Sequence, residues 1–308
     1  MIDIQDILAF EPQIRLTAFF GIFAIMAGLE LAAPRRALRV SKSLRWFSNL
    51  GLVALNTVVA RLVLPMAPVA FAGLCAERGW GVLNLIDVPV WVAVIAAIVI
   101  MDFAIWLQHV MVHAVPVLWR LHRLHHADLD YDVTTGARFH PIEILLSLGL
   151  KFCVIALIGA SPVAVLLFEV ILNGMAMFNH ANVRLPLGAD KVLRVLLVTP
   201  DFHRVHHSAL PHETNANFGF NLSIWDQLLG TYQAQPEGGH EAMTIGLDVF
   251  RDPPEQRLDQ LVTQPLRAAP ATGRSPINRR DAPENCTHRN GATRSPPCSS
   301  GDTGPRPR

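Results

Sequence analysis

Hydrophobic and polar positions along this chain separate into long uncharged runs and short charged connectors. Residues 16–33 are apolar except for Glu30, residues 50–75 except for Arg61, and residues 88–107 except for Asp102. Each is near the roughly 20 residues that a helix needs to cross the hydrocarbon core of a bilayer. A fourth run, residues 144–178, is about two short spans long, carries Lys151 and Glu169, and is interrupted by Gly-Ala-Ser-Pro at 159–162. A turn signal inside an apolar run predicts a helical hairpin. Pro65 and Pro68 fall within the second run and predict a bend there, because proline lacks the helical N–H. The expected fold is an all-α integral-membrane bundle of about four spans, including the hairpin.

Charge then orients the set. The connector after the first run, PRRALRVSKSLRW, holds Arg35, Arg36, Arg39, Lys42 and Arg45, and an excess of basic residues marks the cytoplasmic side of a membrane protein. The second run then leads outward, the connector AERGWGVLNLID lies outside, and the third run returns just before His109. If the hairpin enters and leaves on one side, or the segment makes another even number of crossings, residues 109–126 and 180–207 meet in a cytoplasmic cap. After Asp252 the composition shifts to Pro, Arg, Ser, Thr, Asn and Gly, which predicts a disordered tail over residues 252–308.

Composition narrows the function. Hydrophobic residues make up 51% of the chain and the formal net charge is only +1, which excludes the basic footprint of a nucleic-acid binder. Cys75, Cys153, Cys286 and Cys298 form no CxxC pair, so neither a disulfide framework nor a thiolate metal site is indicated. The acidic start, MIDIQDILAFEPQIR, is not read as a secretory signal.

Ten of the 13 histidines lie between His109 and His207, most of them in three clusters. These are HVMVH (His109, His113), HRLHH (His122, His125, His126) and HRVHH (His203, His206, His207), with His180 in FNHAN between the second and third. Imidazole is the commonest metal-binding side chain. On a helix, residues three or four apart share one face, so each cluster presents several nitrogens together. Two HxxHH elements plus HxxxH offer more donors than one ion uses, and two metals are the economical reading. A zinc hydrolase is disfavoured because HVMVH lacks the glutamate of HExxH. Asp102, seven residues before His109 on the same face, is expected to accept the outer N–H of a ligand imidazole. His140 and Glu143 are read as groups behind the ligands, ahead of the alternative that they open a helix. Arg120, Arg123, Arg184, Arg194 and Arg204 are candidates for a surface that docks an acidic partner, against the alternative of ordinary solvated arginines.

The order of these motifs resembles the fatty acid hydroxylase / sterol desaturase superfamily of membrane diiron oxygenases. The resemblance rests on Asp102 and Trp106 before HVMVH, then WRLHRLHHAD, RFHPIE, NHANVRLPLG, TPDFHRVHHS and NFGFNLSIWDQLLGTY, and it covers residues 99–232. Val110 departs from it where arginine is frequent, and Phe218 where tyrosine is common. The resemblance implies that His109, His113, His122, His125, His126, His180, His203, His206 and His207 hold two iron ions, with no catalytic residue beyond these ligands. It places Asp226 in an element packed beside the third cluster, as a supporting group.

It also implies a division into N-terminal spans (1–98), a catalytic region (99–251) and the tail (252–308). The implied reaction is dioxygen-dependent hydroxylation of a lipid C–H bond, of sterol or fatty-acyl type. Electrons would come from an external cytochrome b5-like or ferredoxin-type donor and its reductase, fed by NAD(P)H, because the chain has no flavin or nicotinamide fingerprint. Two alternatives stay open, a desaturase with the same irons and a non-catalytic membrane protein that binds or transports metal. The expected location is a bacterial inner membrane, or the endoplasmic reticulum in a eukaryote, with the histidines on the cytoplasmic face.

Overall fold

The computed structural model describes residues 8–268. Proline punctuates it. The chain leaves the helix α1 (Glu11–Ala32), forms α2 (Lys42–Val63), breaks, and resumes as α3 (Pro68–Glu77). Leu64 and Ala67, each followed by proline, are extended, with ψ of 130° and 158°, as the clash with the proline ring requires. Next come α4 (Val90–Ala114), α5 (Pro116–His126), and the hairpin arms α6 (Pro141–Ile158) and α7 (Pro162–Asn179). The helices α3, α5, α6 and α7 all begin with proline in the first turn, where its missing N–H costs nothing.

Among the described residues, five helical stretches are long and apolar enough to cross a membrane: α1, the α2–α3 run, α4, α6 and α7. The expected hairpin contributes two of these, each of 18 residues and so about 27 Å long. Its turn follows the local chemistry of GASP. Gly159 ends α6 in the left-handed region at φ 72°, which a residue without Cβ adopts freely. Ser161 then caps α7 by accepting from Ala164 N, and Pro162 is its first residue. Gly81 of the preceding connector lies so close to this turn that a Cβ there would stand 2.0 Å from Gly159 N. The two connectors therefore share the end of the bundle opposite the histidines. No strand is present among the described residues, only isolated bridges such as Pro34 with Val183.

The bundle core is made of Ala72, Ala97, Ala160 and Ala164 with Val69, Met101, Ile155 and Phe168. Small side chains let helices approach closely where lipid supplies no hydrophobic drive. The two charges of the 144–178 run are paired: Glu169 accepts from Lys151 Nζ at 3.0 Å and also pairs with Arg15 of α1. Glu30, the one charge in the first run, receives the backbone N–H groups of Val133 and Asn182 at 2.7 and 2.8 Å. It ties the end of α1 to both loops that carry histidines.

At the histidine-bearing end the basic connector is packed into the fold. Arg45 is fully buried, reaching Asp128 Oδ1 at 2.6 Å and Asp132 Oδ2 at 2.5 Å, and Arg35 pairs with Asp201 and Glu241. Burial alone would raise the Asp128 carboxyl, but Arg45 and Arg138 outweigh it and hold the group well below the usual carboxylate range. One expectation is corrected here: the chain does not lose structure at Asp252. Residues 253–256 form a helical turn and the helix α11 (Leu258–Thr263) packs Leu261 against Leu52 and Leu124. Gln256 joins Arg138 to the Ala127 carbonyl, and Arg123 donates to the carbonyls of Gln264 and Arg267. The segment clamps α5, and composition missed it because several of its anchors are main-chain carbonyls. The remainder of the expected tail lies outside the described residues.

Candidate metal centre

The three clusters converge because the chain breaks sharply between two of them. Val115 is extended ahead of Pro116 (ψ 117°), so α5 folds back on the end of α4. His180 follows α7 as its cap. A further short helix, α9 (Pro200–His206), carries the third cluster and is capped by Thr199 accepting from Phe202 N; it is preceded by α8 (Leu187–Leu193) and followed by α10 (Ile224–Leu229).

The nine histidines sort into two groups, His109, His113, His122, His126 and His206, and His125, His180, His203 and His207. Within each, one donor atom per residue lies within 4.8 Å of all the others. All nine are buried. The groups are neighbours, with the rings of His126 and His207 stacked at 4.7 Å.

Hydrogen bonds decide which nitrogen faces inward. His109 Nδ1 lies 2.7 Å from the Phe218 carbonyl, His180 Nδ1 2.8 Å from that of Ala176, and His206 Nδ1 2.8 Å from that of Ala216. A carbonyl only accepts, so each Nδ1 carries the proton and each neutral ring presents a bare Nε2 lone pair. His109 Nε2 and His206 Nε2 then face each other at 3.0 Å. Two lone pairs at that separation repel unless an electron-pair acceptor lies between them. Two nitrogens bound about 2.0–2.1 Å from one ion stand about 3 Å apart at a right angle. The pairs His113–His126 and His125–His180 repeat this spacing at 3.1 and 3.2 Å. His122 Nε2 and both ring nitrogens of His203 and His207 are buried without a hydrogen bond, which is costly for a polar atom that has no other ligand.

Burial, reinforced by mutual repulsion of the charged forms, pushes His125, His126, His203 and His207 well below the ordinary imidazole range. It brings His180 down to about 4 and His206 to about 3. The rings are neutral at physiological pH, as ligands must be. Unfolded imidazole titrates near 6.5, so between that value and about 4 the unfolded chain binds more protons than the folded one. The contribution is therefore complete above pH 6.5 and lost as pH falls. Metal-free protein in detergent should show a melting temperature that drops from pH 7.5 to pH 5; a flat or rising value over that interval would contradict the assignment of neutral rings.

The fatty acid hydroxylase family matches the chain over residues 94–231, a stretch that contains all nine histidines. The ornithine lipid hydroxylase OlsE of Rhizobium tropici is 35% identical over 148 residues, covering 48% of this chain and 44% of the relative. The human alkylglycerol monooxygenase is 30% identical over 156 residues, covering 48% and 32%. Human cholesterol 25-hydroxylase is 27% identical over 135 residues, covering 42% and 47%. The matches span less than half the length of each of these relatives. No solved structure matches the chain.

Around the histidine centre, the supporting residues take roles that differ from expectation. Glu143 does reach a histidine: its Oε1 accepts from His122 Nδ1 at 2.6 Å. Asp102 does not. Its Oδ2 accepts from Trp225 Nε1 at 2.8 Å and Leu222 N at 3.3 Å, because its turn of α4 faces the segment after the third cluster instead of the rings. His140 opens α6 by accepting from Ile142 N, and its Nε2 donates to the Val262 carbonyl. It is a helix cap, and the helix-start alternative holds.

Asp226 gathers the N–H groups of Phe218 and Gly219, the Trp106 indole and the Thr231 hydroxyl at 2.6–3.1 Å. It thereby aims the Phe218 carbonyl at His109, and Gly219 has no room for a Cβ, which would meet Asp226 Oδ2 at 2.7 Å. Phe218 serves His109 through its main chain, so phenylalanine in place of tyrosine leaves this contact intact. Of the five candidate docking arginines, Arg123, Arg194 and Arg204 are buried in internal contacts and only Arg120 and Arg184 are exposed. The carbonyls of Phe218, Ala176 and Ala216 were invisible to sequence reasoning, since any residue supplies one.

Replacing Glu143 with glutamine should weaken metal retention about 10–100-fold, the usual cost of losing a carboxylate behind a ligand imidazole. Chelator competition on the purified variant measures it, and affinity equal to wild type would remove Glu143 from this role.

Proposed function

We propose that the chain is a dioxygen-dependent lipid hydroxylase in which the nine histidines hold two iron ions. The five-histidine group takes one ion and the four-histidine group the other. The observation that carries this reading is the pair of bare Nε2 lone pairs of His109 and His206, buried and 3.0 Å apart, repeated in spacing across both groups. Bound iron would supply what no side chain can, activation of dioxygen for attack on an unactivated C–H bond. The all-nitrogen donor set fits zinc or copper equally by affinity; iron is favoured by the hydroxylases and monooxygenases among the relatives.

The chain's own residues do the rest. Phe218, Ala176 and Ala216 carbonyls and the Glu143 carboxylate hold four imidazoles in the tautomer that points Nε2 inward. Burial of all nine rings excludes water that would compete for the ions. Transport of metal across the membrane would need donors along the spans, whereas these gather at one end of the bundle.

Residues 99–251 form the proposed catalytic region, held from below by the spans of residues 1–98. The relatives act, by their names, on ornithine lipid, alkylglycerol and cholesterol, which share little beyond being lipids; a membrane lipid is the proposed substrate class. Hydroxylation is favoured over desaturation because those names describe hydroxylases and monooxygenases. An external cytochrome b5-like or ferredoxin-type donor with its NAD(P)H-fed reductase completes the reaction, on the cytoplasmic face to which the charge of the 34–46 connector assigns the histidines. The test is growth of a host expressing the chain under oxygen-18 gas, followed by lipid mass spectrometry. A lipid that gains one labelled oxygen is expected. Loss of two hydrogens without label would make the enzyme a desaturase, and no change with iron-loaded protein present would refute an oxidase of lipids.

A further inference from the structure

The cap has one face that is built for a medium other than water. Of the seven residues of α8, Asp190 is the only buried one. Its carboxylate accepts from Thr199 Oγ1 at 2.6 Å and pairs with Arg194, while Leu187 and Val192 are 82% and 73% exposed. A helix at a water-facing surface shows the reverse arrangement, apolar side inward. Val195 and Leu196 continue the exposed surface, and Leu228 and Leu229 of α10 extend it. The two helices form one unit, since Ser223 Oγ donates to the Arg194 carbonyl at 2.8 Å and Gln227 Nε2 to those of Arg194 and Val195.

The depth of this unit follows from Asp102. Trp225 and Leu222 are hydrogen-bonded to its carboxylate, and Asp102 is the central residue of the 25-residue α4. It lies about 10 Å along the helix from His109, toward the bilayer interior, at 1.5 Å per residue. Trp225 of α10 also meets the ring of Phe103 at 5.0 Å, so the apolar surface joins the spanning helix at the level of the outward-facing Phe103 and Leu107. Arg184 and Lys191 are exposed beside it, as basic residues are where a helix lies against anionic lipid headgroups.

We propose that α8 and α10 form a membrane-immersed apron of the cap, seated among the lipids of the leaflet that faces the histidines without crossing it. Asp190 passes this seating to the metal centre, because the Thr199 hydroxyl it holds also caps α9, the helix of His203 and His206. The inference depends on the spans crossing a membrane and not on which metal the histidines bind.

Spin labels test it on the full chain reconstituted in phosphatidylcholine–phosphatidylglycerol vesicles. Val192→Cys and Leu228→Cys would be labelled in a background with Cys153, Cys286 and Cys298 changed to serine; both sites are exposed, so labelling does not burden packing. Ile95→Cys on α4 serves as the lipid-facing reference and Arg257→Cys as the water-facing one. Collision with dioxygen should exceed collision with a water-soluble nickel chelate at 192 and 228, as at 95. Chelate accessibility equal to that at 257 would overturn the proposal, and so would shielding from both reagents, which would mean that protein, such as a second copy, covers the face. Metal-free protein should give the same result as loaded protein, which separates failure of this inference from failure of the iron assignment.

Discussion

His206→Ala should abolish lipid oxidation while the protein still inserts and remains folded. The substitution removes the nitrogen that faces His109 Nε2 at 3.0 Å and leaves four donors of five in that group. Loss of a residue that merely orients a ligand costs about 10–100-fold in affinity or activity, and loss of a ligand itself exceeds that, so turnover should fall more than about 100-fold. The ring's neighbours are Phe218 and other histidines, among them His109 and His113 at the last turns of the span α4, and no apolar residue of the bundle core is among them. Membrane extraction and gel filtration should accordingly match wild type. His125→Ala, in the four-donor group, should behave alike. Lipid product analysis on quantified, inserted protein decides the matter: activity within a few-fold of wild type in both variants would reject the assignment of these rings as ligands.

Arg45→Met should be the most damaging substitution outside the histidines, and it acts on stability. Arg45 is buried at the start of α2 and its guanidinium answers two carboxylates at once, Asp128 and Asp132, with a further bond to Thr135. Removing one partner of a buried pair costs about 3–5 kcal/mol, because the other charge stays buried without compensation. Arg138, 3.8 Å from Asp128, relieves that carboxylate only in part, and Asp132 keeps the hydrogen bonds of Trp46 and Thr134 but loses its cation. Asp128 is two residues from His126, so the loop after the second cluster should loosen first. Thermal unfolding in detergent should show a large drop, restored in part by adding Asp132→Asn to the variant. A melting temperature close to wild type for Arg45→Met would show that the network contributes little.

Much of this architecture is written in local patterns. Uncharged runs give the spans, and GASP spells a hairpin turn because each residue meets one steric or capping demand in sequence. The clustering of histidines gives the centre, since HxxxH and HxxHH spacings translate directly into shared helical faces. What the sequence conceals is long-range and mostly main-chain. Nothing near Asp102 says whether it looks toward His109 or toward Trp225, 123 residues away. Arg45 reads as a flanking positive charge until the fold brings Asp128 and Asp132 to it. His140 and Glu143 share one motif, RFHPIE, yet only the glutamate points at a ring; proline after His140 commits the histidine to opening the helix. Residues 253–267 look like tail by composition, and their anchoring through carbonyls of Gln264, Pro265 and Arg267 leaves no compositional trace.

The central claim is that nine buried imidazoles divide into two metal sites filled by iron. It is tested most directly by measuring metal content in the purified full-length protein after expression in iron-replete medium, with the reconstituted protein titrated to saturation. Two tightly held irons per chain, lost together with dioxygen consumption when His206 or His125 is replaced by alanine, is the expected result. Saturation at a single ion, or zinc held in both sites with no consumption of dioxygen in the presence of a reductant, would contradict it.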